Sequence, residues 1–340
     1  MRKLFSLLSL FQLRAFADVT TAVATGGDAV KFTDGVRMVY SKEIEFKALP
    51  NMRFYQFATI KEELGVEPGL TISMLTYDNL ALGGKLVENT SMTTQALSGS
   101  VKQITVQEYG NAVSASELLI QSSFDDIMAS ATTLLGRDYA LVVDCELRDA
   151  ALGNSNYIVY ASNKGTPVTA RGDLTADCTL QVSTIKDAIE ILATNNAPKY
   201  GGTNWICFVH PHQSRGLRDD PAWVNASNYG DPSLLFTGEI GRIDDTRFIE
   251  TTLMCNGACA ASDPAYSADL VHGAEGAPAT LDVYQAVIFG DAYIGFASSL
   301  PVELRDNGVE DFGRKRSLAW YAIFGVGRLH NEYGVVIETV

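Results

Sequence analysis

The stretch Phe208–Thr251, FVHPHQSRGLRDDPAWVNASNYGDPSLLFTGEIGRIDDTRFIET, carries more information about this chain than any other. It opens inside the apolar run Trp205-Ile206-Cys207-Phe208-Val209, which predicts a buried strand. Pro211 then suits the first turn of a helix over Pro211–Leu217. The Asn-, Asp-, Gly- and Pro-rich remainder predicts loops.

Residues with chemical potential within and beyond this stretch have bland readings that outweigh the sharp ones. His210-Pro-His212 has ligand-type residues after a strand, and Cys255 with Cys259 has C-x-x-x-C spacing, but neither comes with a matching second pair, so loop residues and buried thiols are expected. Asp219-Asp220 and Asp244-Asp245 would suit a hard cation; beside Arg218, Arg242 and Arg247 they read as turn residues with local ion pairs. Arg314-Lys315-Arg316 follows Glu310 and Asp311 and reads as a charged loop between strands. Phosphate-loop, dinucleotide, nucleophile-elbow and H-E-x-x-H motifs are all missing, and nothing selects a triad from His210, His212, His272 and His330. No catalytic, cofactor-binding or metal-binding residue is therefore assigned.

Composition narrows the class. The chain has 340 residues, 46% of them hydrophobic, enough for about two domains with their own core. No apolar run reaches the ~18 residues of a membrane span. A net charge of -14 argues against a body that grips nucleic acid through its phosphates. Five cysteines, odd in number and mostly in apolar stretches (Cys145, Cys178, Cys207, Cys255, Cys259), read as reduced thiols rather than a disulfide framework.

Working outward, residues 1–17 imitate a secretory leader with Ala15-Phe16-Ala17 as an A-x-A site, yet Ser6, Ser9 and Arg14 favour an amphipathic basic arm. Small polar residues follow to Gly27, and Val30, Val36, Val39, Tyr40 and Ile44 predict a helix over 28–49 closed by Pro50. Residues 52–116 read as extended chain. Within them the polar, core-poor 86–100 flanked by strand-like segments predicts a long hairpin, with Ile104 and Val106 on a half-buried face. Ser122 or Ser123 is expected to cap a helix running to Gly153, with Phe124, Ile127, Met128, Ala131, Leu134, Leu135, Val142, Cys145 and Leu152 as its stripe, a rod of about 45 Å. Residues 154–280 read as a second, mixed domain with a helix over Ser183–Thr194 capped by Ser183, and Ala258–Ala279 as a surface excursion. Late strands at Val283–Phe289, Leu318–Val326 and Tyr333–Glu338 are expected to close on the first domain. The class is α+β.

The run Phe208–Thr251, with its V-H-P strand end, L-R-D-D-P-A-W-V turn and F-T-G-E-I-G-R-I…R-F-I-E-T close, resembles the major capsid proteins of tailed phages, in particular the subfamily typified by the phage called N-four. Ile104-Thr-Val-Gln-Glu-Tyr-Gly110, the long helix and Val287-Ile-Phe-Gly-Asp-Ala-Tyr293 extend the resemblance over about two thirds of the chain. It implies the Hong Kong 97-like (Johnson) fold: an N-arm with docking helix at 1–50, a peripheral domain at 51–153 and 281–340 with an extended loop at 66–108 and a spine helix at 122–153, and an axial domain at 154–280.

The implied function is structural. Pentamers and hexamers of this chain would close an icosahedral head around packaged double-stranded DNA, assembled in the host bacterial cytoplasm, without sequence-specific DNA binding, enzymatic activity, cofactor or membrane. Only about fifty residues precede the core, so a separate scaffolding protein is the expected partner, besides a portal and decoration proteins. Lys85 near the hairpin tip makes an isopeptide bond to an asparagine chemically conceivable, though noncovalent sealing is expected. The competing classes are a secreted or periplasmic hydrolase or binding protein with leader 1–17, and an encapsulin-like cellular shell.

Overall fold

Among the described residues, three sheets and four α-helices follow from where the apolar residues fall. A computed structural model describes residues 53–340 apart from 62–70, 78–79, 86–87, 89–90, 92–93, 124–125, 221–238, 257–262 and 267–280. The leader-like 1–17, the arm and the helix expected over 28–49 lie outside the described residues, as does most of the Ala258–Ala279 excursion.

In chain order the elements are β1 (Thr59–Lys61), β2 (Thr71–Tyr77), β3 (Gly99–Thr105), β4 (Gln107–Ser116), α1 (Glu117–Ser122), α2 (Ile127–Leu152), β5 (Ile158–Tyr160), α3 (Val182–Thr194), β6 (Trp205–Val209), α4 (Pro211–Asp219), β7 (Glu239–Ile243), β8 (Thr246–Glu250), β9 (Tyr284–Phe289), β10 (Ile294–Glu310), β11 (Lys315–Arg328) and β12 (Gly334–Thr339). One sheet has four strands in the order β1-β10-β11-β4, another has six in the order β5-β12-β9-β6-β8-β7, and β2 pairs with β3 alone. Among the described strands, only the pairs β1 with β10, β12 with β5 and β6 with β8 are parallel.

The six-stranded sheet explains its own unbroken apolar runs. Ile206, Phe208, Val287, Phe289 and Val336 point to one core, while Trp205, Cys207, Val209, Ala286, Ile288, Val335 and Ile337 point to a second on the opposite face. A strand covered on both faces needs no polar alternation, so β6 is buried at every residue. The second face is closed by α3 through Ile185, Ala188 and Leu192. The first is closed by α2 and by the four-stranded sheet, whose β11 sends Leu318, Trp320, Ala322 and Phe324 into the same cluster and alternates with partly exposed residues.

Helix α2 is the expected spine, shifted from its expected start. Ser123 is extended, and Asp126 is the N-cap, its Oδ1 accepting the N–H groups of Met128 and Ala129 at 3.2 Å each. Ser116, not Ser122 or Ser123, caps the short α1 by accepting the Leu119 N–H. Gly153 ends α2 as expected, its N–H donating to the Asp149 carbonyl. At ~1.5 Å per residue the 26 residues span about 39 Å. The buried stripe is Ala131, Leu135, Val143, Leu147 and Ala151, and Leu134, expected inside, is half exposed.

Three further expectations are corrected by packing. Helix α3 starts at Val182, and its cap comes from Asp220 at the end of α4, whose Oδ2 accepts the Val182 N–H at 2.9 Å; Ser183 lies within the helix. Strands β9 and β12 join the six-stranded sheet, sandwiching β9 between β12 and β6, because their side chains are apolar on both faces. Asp263–Tyr266, expected on a surface excursion, is docked: Ala265 is buried, and the buried Arg148 of α2 donates from Nη1 to the carbonyls of Pro264 and Leu253.

A charge inside the fold was not anticipated. The fully buried Glu338 of β12 receives Arg171 through two bonds, Nε to Oε2 at 2.8 Å and Nη2 to Oε1 at 2.6 Å, and Gln285 Nε2 donates to Oε1 at 3.0 Å. Removing one partner of such a pair leaves an uncompensated buried charge, which costs about 3–5 kcal/mol. Arg171→Met is expected to lower chemical-denaturation stability by that amount, with most of the loss recovered in Arg171→Met/Glu338→Leu; equal stability of Arg171→Met and the parent would contradict this role.

Candidate assembly surfaces

Strands β2 and β3 form a two-stranded arm in unbroken antiparallel register, from Thr71 opposite Thr105 to Tyr77 opposite Gly99. At its base Ile72 and Ile104 are buried with Val106, Ala297 and Leu329 in a small cluster. Gly325 of β11 permits this crossing, since a Cβ there would collide with the Thr105 carbonyl. Farther out the arm loses its core. Leu75, Tyr77 and Val101 are 57%, 61% and 55% exposed on one face, and Leu80, Leu82 and Leu97 continue the apolar surface toward the tip. An isolated two-stranded hairpin is marginal in water, so such a face implies a partner.

A second projection is the turn between β10 and β11. Asp311, Phe312 and Gly313 all have positive φ, and the Phe312 ring is fully exposed. A bulky residue is disfavoured in that backbone region, so surrounding structure must hold it there. The basic triplet, expected as a charged loop between strands, is one only at Arg314; Lys315 and Arg316 begin β11, with Arg316 paired to Asp306 at 2.8 Å and Arg314 to Asp311 at 3.6 Å.

The residues with chemical potential are committed to the fold. His210 is the N-cap of α4: its Nδ1 accepts the His212 N–H at 3.1 Å, and Gln213 Oε1 accepts the His210 N–H at 3.2 Å, completing a capping box. His212 stacks on Tyr284 at 4.4 Å. Asp244 and Asp245 occupy the left-handed turn between β7 and β8, with Asp245 paired to Lys199 at 3.0 Å. Arg218 pairs with Glu250 at 3.4 Å, and Asp219 is exposed. Cys145, Cys178, Cys207 and Cys255 are free thiols; Cys259 and His272 lie outside the described residues. Burial pushes the Cys145 thiol up to about 11 and the Cys207 thiol higher still, so neither is a thiolate nucleophile at neutral pH. Among the described residues no three His, Cys, Asp or Glu side chains cluster as a metal ion would need. Likewise among the described residues, no helix is long and apolar enough to cross a membrane.

Sequence reasoning missed Asp144. This buried carboxylate of α2 accepts the Arg53 N–H at 2.7 Å and the Tyr55 N–H at 3.0 Å, pinning the incoming chain beside Phe54, which stacks on Phe208 at 4.1 Å. Burial raises its pKa more than these donors and Arg148 lower it. Position 144 sits one residue from a stripe position already expected to be buried, which was the available signal.

The arm, the spine and the two welded sheets form a recognisable whole. The sequence profile of the phage capsid protein family matches residues 100–337. The chain belongs to the phage capsid protein family. Solved structures agree in fold: the capsid of Ralstonia phage GP4 superposes with a TM-score of 0.67 at 15% identity, covering 90% of this chain and 95% of that one. The Cyanophage Pam1 capsid asymmetric unit gives 0.69 at 15%, covering 90% and 97%. The acidic stable capsid structure of Helicobacter pylori bacteriophage KHP30 gives 0.68 at 14%, covering 91% and 97%. Among curated proteins none matches the chain. The Hong Kong 97-like fold thus stands as expected from these superpositions, and the family match makes the chain a phage capsid protein, a structural protein of the virion.

The capsid protein's cap at His210 has a pH consequence. Burial, with His212 beside it and opposed by Glu250 and Asp263, pushes this imidazole from the usual 6.5 down to about 4. The unfolded chain takes up this proton first, so the cap's contribution is complete above about 6.5 and is lost as the pH falls toward 4. His210→Asn keeps a capping oxygen that does not titrate. The melting midpoint of this variant is expected to fall less steeply across that window than the parent's; parallel curves would contradict the assignment.

Proposed function

We propose that this capsid protein is the repeating tile of an icosahedral head, gathered into pentamers and hexamers that close around packaged double-stranded DNA. The observation that carries this reading is the core-poor arm attached to a welded body. Stability of the arm's outer half must come from a neighbouring copy, and a family of shell proteins supplies that neighbour.

In this reading α2 with the four-stranded sheet is the peripheral body, and the six-stranded sheet with α3 and α4 is the axial body. The boundary is redrawn from the expected 154–280 to include β9 and β12 in the axial body. The acidic balance of -14 suits a shell whose lining must not trap the DNA driven into it. Assembly in the host cytoplasm on a separate scaffolding protein, with a portal and decoration proteins added, completes the proposal. Membership of the N-four-like subfamily is supported by the run Phe208–Thr251. Sealing is noncovalent, and no catalytic step is assigned to the chain.

Deleting Gly83–Ser98, the arm's tip, is expected to abolish closed shells in negative stain while leaving the circular dichroism and melting midpoint of the unassembled chain close to the parent's. Deleting Met1–Gly27 is expected to impair closure in the same way. Normal shells from both deletions would contradict the roles assigned to these extensions.

A further inference from the structure

An asparagine followed by glycine is the dipeptide in which a backbone amide attacks the preceding side chain most readily, because glycine has no Cβ to block the approach and reaches backbone geometries closed to other residues. The chain contains two, Asn256-Gly257 and Asn307-Gly308. Their surroundings differ. Asn256 is buried, its N–H donates to the Ala265 carbonyl, and it bridges to Tyr266 and to Tyr284. Its Nδ2 also lies 3.5 Å from His210 Nε2, so ring closure there must await local opening.

Asn307 is exposed and sits in a bulge near the outer end of β10. Asp306 pairs with Leu318 and Val309 with Arg316, so Asn307 and Gly308 together face Ser317 and neither has a register partner on β11. Gly308 has a φ of +73°, and a Cβ placed there would meet nothing within 4 Å, so the space that a ring needs is open. The Gly308 N–H donates to Asp306 Oδ1 at 2.8 Å, while Asp306 Oδ2 accepts from Arg316 at 2.8 Å. Those two donors hold the Asp306 carboxyl below its usual range, ionised and able to take a proton. The leaving end is held too, since Asn307 Nδ2 donates to Glu310 Oε1.

We infer that Asn307 and Gly308 form a self-modification site, at which the folded chain converts Asn307 to isoaspartate or aspartate with its own groups and water. Gly308 N attacks Asn307 Cγ; the N–Cγ bond forms and the Cγ–Nδ2 bond breaks. The proton lost from Gly308 N passes to Asp306 Oδ1 and on to Nδ2, which departs as ammonia. Water then opens the cyclic imide at either carbonyl, and no electrons change hands. Opening at the main-chain carbonyl leaves Gly308 joined to the former side chain, which adds one carbon to the backbone within the bulge. Either product sets a carboxylate beside Glu310 where an amide had donated a hydrogen bond. The β10–β11 turn that carries Phe312 is thus expected to loosen irreversibly as the protein ages. The reaction needs only the folded chain and water, whether or not copies assemble.

The test holds the full-length protein in warm neutral buffer and digests samples with trypsin at intervals, against a sample digested at once. The peptide Asp306–Arg314 is expected to gain the mass difference between a hydroxyl and an amino group and to fragment as isoaspartate at 307. Its conversion is expected to be about tenfold or more faster than that of the peptide containing Asn256, which needs local opening. In denaturant this contrast is expected to vanish. Asn307→Gln is expected to abolish the change at the parent's melting midpoint, since the larger imide closes far more slowly. Asp306→Ala is expected to slow conversion severalfold in the folded chain and to leave it unchanged in denaturant. An Asn307 that stays unmodified in the folded chain, or equal folded-state rates at 307 and 256, would overturn the inference. A contrast that persists in denaturant lies in the sequence and not in the fold, and would overturn it equally; folded Asp306→Ala converting at the parent's rate would overturn the proton route.

Discussion

One shared aromatic core holds this protein in one piece. Phe54 stacks on Phe208 at 4.1 Å, Phe208 on Phe289 at 5.9 Å, and Phe289 meets Tyr293 at 5.4 Å. On the side of the four-stranded sheet, Phe296 stacks on Phe324, which stacks on Tyr109. These rings belong to one buried cluster with Leu135, Val143 and Leu147 of the spine helix. The four-stranded and six-stranded sheets are therefore not beads on a linker; they share an interior, and the Tyr293 hydroxyl donates to the Ala151 carbonyl across it. A dense interior transmits strain rather than absorbing it, which suits a tile that must keep its shape when loaded.

Around that body the fold separates what is stable alone from what is not. Polar side chains near the core are spent on anchoring: Asp144 on the entering chain, Asp138 on both Trp320 Nε1 and Asn111, Arg148 on the docked Pro264, and Glu338 on Arg171. Among the described residues of the arm, the buried anchors are Ile72 and Ile104. Its exposed leucines would be a liability on a monomer and are intelligible as half of an interface.

Legibility in the sequence followed local periodicity. β6, α4, the inward-facing Ile104 and Val106, and the Gly153 stop were readable because each depends on neighbours within a few residues. The cap of α3 was not, since its acceptor is Asp220, 38 residues away. The membership of β9 and β12 in the six-stranded sheet was likewise hidden: an apolar run announces burial but not which sheet buries it. The 17-residue β10 was overlooked because Pro301 and the charges at Glu303, Arg305 and Asp306 resemble a loop, and its bulges break the alternation. The functional class was legible only through the run Phe208–Thr251, since an assembly surface leaves no catalytic pattern. His210 became intelligible as a cap only once its distances were known, whereas Asp244 and Asp245 were already legible as turn residues.

The central claim is a welded body carrying an arm that a neighbour must stabilise, and amide hydrogen exchange on the full-length chain before and after assembly tests it most directly. In the unassembled protein, amides of β6, β9 and β12 should exchange together at the slowest rate, through global unfolding, while those of the outer arm, Leu75–Tyr77 and Gly99–Val101, exchange orders of magnitude faster. In shells the arm should slow markedly. Arm amides as slow as those of β6 in the unassembled chain, or equally fast in shells, would contradict the account.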